Sequence, residues 1–470
     1  MDKTGVTMAL GKRKREQQGL WIATTELPKS PGHPFYQKLN GLLAEAGFDR
    51  WVEKLCAPYY AEKLGRPSIP PGVYFRMILM GYFEGIGSQR GIAWRCSDSR
   101  SLAEFLGLAI NEPTPDHSSL TRVHQRLPLE IHEQVFVFVL KIAAAKKLLQ
   151  GKTVAVDSTT LEANAAMKAI VRTDNGEDWK TYLTRLAQEA GIENPTAEDL
   201  RKFDKKREKK VSNDEWQSPT DPDSRITKMK DGTTHLAYKA EHVVDVETDL
   251  VLSAGVEPAD HGDAESLCDS VVQADLNLHA AGSEARIRDI VADKGYHKAS
   301  TLELCTSLDY RTYIPEPKRP QRSRWTDKPA AYRAAVYANR RRVRGVRSKR
   351  LQRLRSELTE RSFAHVCETG RARRTWLRGL DKVRKRYLLQ VAARNLGLIL
   401  RKLFGIGTPR TLQDLIGLCC ALYLAMATCW GRWWAPRFVM TLRCHSPLLG
   451  LWRHSAADNM AGKSPNSTGC

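Results

Sequence analysis

The chain has no Cys-x-x-Cys pair and no histidine pair at zinc-finger spacing; its ten cysteines, from Cys56 to Cys470, are scattered. That excludes a Cys-ligated zinc module and predicts reduced thiols in a cytoplasmic protein. Met1 to Gln18 holds no apolar run of signal-peptide length, so secretion is not expected. No segment offers the roughly 20 apolar residues of a bilayer span. The nearest, Leu415 to Trp430, is shorter and reads as a buried helix, so no membrane is expected as a partner.

Acidic residues are also short in supply. Fifty-three Asp and Glu face 74 Lys and Arg, a net charge of +21. So large an excess favours polyanionic partners, nucleic acid first, through long-range attraction and counterion release. The imbalance is concentrated: between Lys318 and Arg355 the one acidic residue is Asp327, among a run that includes Arg340, Arg341, Arg342, Arg350 and Arg353. A stretch this one-sided repels itself unless an anion lies against it, and it is assigned to phosphate-backbone contact. Arg373, Arg374 and Arg378 extend it.

With 470 residues the chain holds two or three domains. A basic arm, 1–33, carries Lys12 to Arg15. From Pro34 to about 150 the apolar residues recur at three- and four-residue steps, which predicts an all-helical domain for DNA binding or dimerisation. Within it, Asp116 or Ser118 is placed to cap a short helix carrying Arg122, His124, Gln125 and Arg126. A catalytic domain is expected over 151–402 and a C-terminal helical segment with a tail over 403–470.

The catalytic domain opens with an apolar strand ending at Asp157, then a polar insertion over about 163–234 containing a short helix near Trp179 to Ala190. Strands follow at His235 to Val246 and Val251 to Val256, a helix from Asp263 to Leu278, a strand from Ile287 to Ala292, a helix from Ala299 to Ser307, a strand from Arg311 to Ile314, and a helix. This α/β element order is that of a ribonuclease H-like mixed sheet, in which the first and fourth strands are neighbours. Asp157 and Asp293 then stand at the ends of adjacent strands, about 4.8 Å apart. Paired carboxylates at that spacing suit magnesium or manganese, hard cations that take oxygen ligands. A third carboxylate is sought on the helix after the last strand, where Glu357 and Glu360 lie three apart; Glu360 is favoured.

Three motifs carry a family resemblance: Ala155-Val156-Asp157-Ser158-Thr159, Ala292-Asp293-Lys294-Gly295-Tyr296-His297, and Glu360-Arg361-Ser362-Phe363-Ala364-His365. With Ala237 to His242 and Arg373 to Gly379 they make the chain, from about Pro34 to Arg410, resemble the DDE-type transposases of bacterial insertion sequences. One departure stands out: some relatives carry a fixed tyrosine, arginine, glutamate and lysine register around the last carboxylate, and here Arg353, Ser356 and Cys367 occupy the flanking positions. The resemblance implies a catalytic and Mg2+- or Mn2+-binding triad of Asp157, Asp293 and Glu360. It also implies double-stranded DNA partners, both the element's terminal inverted repeats and the target, on which the protein acts as a homodimer or larger assembly in the cytoplasm, at the nucleoid. Lys239, Lys294, Tyr296, His297 and Arg361 join the arginines above as expected DNA contacts. The rival readings are a metal nuclease of the same fold without strand transfer and a DNA-binding protein with a decayed site.

Of the tryptophans, Trp179, Trp216, Trp325 and Trp376 are candidates to stack on unpaired bases, with Trp216 the least core-like by its polar neighbours.

Overall fold

The computed structural model describes Ala23 and residues 32–410, except 62–67, 207–211, 230–231, 319–324 and 327. The basic tetrad, the apolar segment from Leu415 and the tail from Ser446 lie outside the described residues. Among those described, no helix is long and apolar enough to cross a membrane.

Seven helices come first: α1 (Pro34–Glu45), α2 (Phe48–Cys56), α3 (Pro71–Glu84), α4 (Gln89–Ser97), α5 (Arg100–Phe105), α6 (His117–Arg126) and α7 (Leu129–Ala145). The central one is α3. Pro71 opens it with a preset φ, Gly85 closes it in the left-handed region (φ 69°), and every residue from Gly72 to Phe83 between them is buried. Its one interior cation, Arg76, is neutralised by Asp49 at 2.7 Å. The Asp116 side chain caps α6 through Ser118 N–H at 2.8 Å, as its position predicts.

The sheet follows. Strand β1 (Thr153–Glu162) leads into the insertion, which holds β2 (Val171–Arg172), α8 (Trp179–Glu189), α9 (Ala197–Lys206), β3 (Trp216–Gln217) and β4 (Arg225–Lys228). After it come β5 (Thr234–Asp245), β6 (Val251–Pro258), α10 (Asp263–Ala280), β7 (Asp289–Val291), α11 (Ala299–Ser307), β8 (Arg311–Tyr313), α12 (Ala330–Val343), α13 (Val346–Ala364) and α14 (Leu380–Phe404). The main sheet runs β4-β5-β1-β7-β8, with β6 also on β5. Strand β1 pairs antiparallel with β5 and parallel with β7. The expected neighbours are therefore neighbours.

Three expectations change. Asp157 does not end its strand: β1 runs five residues further, because Ser158 to Glu162 go on pairing with Glu241 to Ala237 of β5. The insertion is not wholly outside the core, since β4 adds to the main sheet along β5. Trp216 is buried, packed edge-on to Trp179 at 4.9 Å and near Tyr182 at 5.4 Å. Its polar neighbours in sequence hid a role as the small core of the insertion. Trp376, by contrast, is 59% exposed.

Helix α14 joins the halves. It packs against α3 and α7 on one side and β6 on the other, and Asn395 in its middle closes the open edge of β6 by bonding both N–H and C=O of Val251 (3.0 and 2.8 Å). Helical half and sheet thus share one continuous apolar core.

Candidate functional site

Adjacent strands bring the two aspartates near each other. The last parallel pair is Ala155 with Val291, and Asp157 and Asp293 each lie two residues beyond it, near enough for the Asp293 charge to act on Asp157. Past the end of β7, Asp293 caps a short 3-10 turn, accepting Gly295 N–H at 2.7 Å. The turn is close-packed there: a Cβ on residue 295 would stand 3.0 Å from both the Asp293 and the Asp263 carboxylates, and one of them would have to shift.

Asp157 is half-buried. One carboxylate oxygen accepts its neighbour Ser158 N–H (2.9 Å); the other accepts Arg355 Nη1 at 2.8 Å and Thr359 Oγ at 3.1 Å, both from α13. Burial raises its pKa; Arg355, Ser158 and Thr359 pull it back, and the adjacent Asp293 carboxylate pushes it up again. Two carboxylates in a partly desolvated pocket are what a hard divalent cation relieves, so the donor set fits magnesium or manganese in kind. Among the described residues, however, no three His, Cys, Asp or Glu side chains stand gathered closely enough to hold a metal.

The third carboxylate explains that. On α13 each residue turns about 100°, so Glu360 lies one step round from Thr359 and Glu357 two steps round the other way. Glu360 is exposed and accepts Ser356 Oγ at 2.8 Å; Glu357 is exposed and bonded to Arg361. The helix face that meets the sheet is formed by Gln352, Arg355, Thr359 and Ser362. Gln352 donates to the Ala292 and Tyr313 carbonyls at 3.2 and 2.6 Å, next to Asp293.

Beneath the turn lies a polar layer. Glu241 is buried and accepts Tyr296 Oη at 2.7 Å, Ser266 Oγ at 2.9 Å and Ser270 Oγ. Burial raises its pKa against these donors. On β5 opposite Asp157, His242 stacks on Phe363 at 4.2 Å and bonds Ser362 Oγ (2.9 Å) and Tyr387 Oη (2.8 Å), pinning α13 and α14 to the sheet.

The expected DNA contacts divide. Lys294, Arg341, Arg350, Arg353, Arg374 and Arg378 are exposed. Tyr296 and Lys239 are not: Tyr296 is held by Glu241, and Lys239 is buried with Asp263 at 3.0 Å and the His261 carbonyl at 2.8 Å. Arg342 is spent on Thr312 of β8. These three side chains, from the 3-10 turn, β5 and α12 respectively, turn inward and bond the frame in the free protein. Arg340 pairs with Glu316, Arg361 with Glu357 and Asp249, and Arg373 with Glu368, while His297 lies 3.8 Å from Glu316. Thr359 and Arg355 were not singled out as site residues, although their four-residue spacing marks one helix face.

Two family models match the chain. One, described as a transposase domain (DUF772), covers residues 26–126. The other, described as a transposase DDE domain, covers residues 150–396. Neither the curated proteins nor the solved structures give a match.

Proposed function

Because the chain belongs to the transposase DDE-domain family, we propose that it is the DNA transposase of an insertion sequence, cutting the element's ends and joining the freed 3′-hydroxyls to target DNA. The supporting observation is the placement of Asp157 and Asp293 just past the last β1–β7 pair, the Asp293 charge acting on Asp157, with α13 packed over Asp157 behind a one-sided arginine surface. The strand order, counted as 3-2-1-4-5 over β6, β5, β1, β7 and β8, supports a ribonuclease H-like core.

Asp157 and Asp293 are the residues that would hold the divalent ions on which the family relies, and Glu360, exposed and bonded to Ser356 in the free protein, is proposed as the third ligand. When bound, such ions activate the attacking hydroxyl or water and stabilise the departing oxygen of an in-line displacement. The chain's own part is positioning. Arg341, Arg350 and Arg353 take phosphates along the duplex and set its register. The Glu241–Tyr296 bond fixes the turn that presents Asp293, and Thr359 orients Asp157. A second copy of the chain is proposed to act on the other element end.

The test is a strand-transfer assay with labelled element ends, target plasmid and Mg2+, alongside DNA binding by anisotropy. The wild type should cut and join, and Asp157→Asn or Asp293→Asn should bind without cutting. Cutting without joining would indicate a nuclease, and binding alone a decayed site. Full activity in both variants would sink the site assignment.

A further inference from the structure

Arg355 lies where a site for divalent cations would least want a cation. Its guanidinium stands 2.8 Å from Asp157 Oδ2, the pair being 15% and 26% exposed at the side chain. Its Nε is braced by Gln352 Oε1 at 3.3 Å, and Gln352 in turn holds the Ala292 carbonyl beside Asp293. A doubly charged cation on the same carboxylate would face this fixed positive charge at close range, in surroundings that screen it poorly. The guanidinium, once displaced, needs another anion. A planar fork of donors matches phosphate oxygens, and phosphate is the anion that arrives with DNA.

We propose that Arg355 is an exchangeable counter-ion, which holds Asp157 in the free protein and moves to a DNA phosphate oxygen when a divalent cation takes the carboxylate. This rests on the transposase reading and adds a regulation of the same site: DNA and metal favour each other's binding through Arg355, by a linkage that is reciprocal. Arg355 is five residues before Glu360 and is a positioning residue, acting through Asp157.

The experiment is Mn2+ binding to the full chain, read from the electron paramagnetic resonance signal of free Mn2+, without DNA and then with a saturating plain DNA duplex. Without DNA, Arg355→Gln should bind Mn2+ about tenfold more tightly than wild type, the equivalent of one pKa unit of lost competition, and Arg355→Lys a few-fold more tightly (~3-fold). With DNA, after subtraction of the Mn2+ bound by the same duplex without protein, wild-type affinity should rise toward that of Arg355→Gln, whose own affinity DNA should change less than it changes the wild type's. Unchanged or weaker Mn2+ binding by folded Arg355→Gln, or no effect of DNA on the wild type, overturns the proposal. If the glutamine variant does not fold, wild-type affinity in Arg355→Lys overturns it. Asp157→Asn separates the two readings: Mn2+ binding that survives it undiminished removes the metal assignment itself rather than the role of Arg355.

Discussion

Tyr296 donates a 2.7 Å hydrogen bond to the buried carboxylate of Glu241, and so ties the turn after Asp293 to the strand that pairs with Asp157's strand. Removing the hydroxyl leaves a buried carboxylate short of a donor, which costs about 1–3 kcal/mol. Tyr296→Phe should lower the urea midpoint accordingly and cut DNA cleavage by roughly tenfold or more, because misplacing a reacting group by a fraction of an ångström is expensive. Ser270→Ala is the control. It takes a donor from the same carboxylate without touching the turn, so it should lower stability but not cleavage. Equal loss of cleavage in both variants would mean Tyr296 acts on stability alone.

Glu357 and Glu360 share a face of α13, being three residues apart, but differ in their contacts. Glu360 accepts Ser356 Oγ and is adjacent to Thr359, which touches Asp157, whereas Glu357 is held in an ion pair with Arg361. Glu360→Gln should lower cleavage on the order of 100-fold or more, the scale on which metal-site partners act. Glu357→Gln should stay within about threefold of wild type, an exposed helix pair being worth little. Cleavage rates under single-turnover conditions decide it, and the reverse ranking would transfer the third-carboxylate role to Glu357.

How far the sequence revealed this arrangement differs from residue to residue. Asp157 and Asp293 were legible because each closes a short apolar run, and the order of elements between them forces β1 beside β7. The burial of Tyr296 and Lys239 was not legible, because a polar residue next to a motif looks the same in sequence whether it faces outward or into a hydrogen-bonded interior. The pairing of Tyr296 with Glu241 joins residues 55 apart, and that of Arg355 with Asp157 joins residues 198 apart. No local periodicity encodes either. Trp216 was hidden for a related reason: its partners Trp179 and Tyr182 lie far along the insertion, and only the β2–β3 pair brings them together.

The arginine surface predicts a salt dependence. Arg341, Arg344, Arg350 and Arg353 are exposed on α12, α13 and the turn between them, and none of the four has an acidic partner among the described residues. Each phosphate contact contributes about 0.9 to the slope of log K against log salt on duplex DNA. Replacing all four by alanine should reduce that slope by up to about 3.6 while leaving the fold intact. Anisotropy titrations between 50 and 300 mM salt, or about that range, measure it. An unchanged slope would place the DNA on another face.

Acid should destabilise the helical half before it protonates most carboxylates. His124 and His132 are buried beside Tyr74, whose hydroxyl lies 3.0 Å from His124 Nδ1 and 3.4 Å from His132 Nε2. Burial lowers both imidazoles, His124 to about 3 and His132 to about 4, and the nearby Lys385 and, at His124, Arg386 lower them further. His242, also fully buried, is lowered as well. In the unfolded chain these groups titrate near 6.5. Below that value the unfolded state binds more protons than the folded one, so the stability present above pH 6.5 is lost as pH falls toward the folded values. By pH 5 the loss is about 2 kcal/mol for an imidazole lowered this far. Asp157 and Glu241 work in the opposite direction: their raised values mean that the folded state gains protons first, so they add stability as pH falls through those values. Comparing a variant with wild type cancels that contribution. The wild-type melting temperature should fall between pH 7.5 and 5, and His132→Gln, which cannot take up the proton, should lose less over the same interval. Parallel curves for the two proteins would show that His132 is not held neutral in the fold.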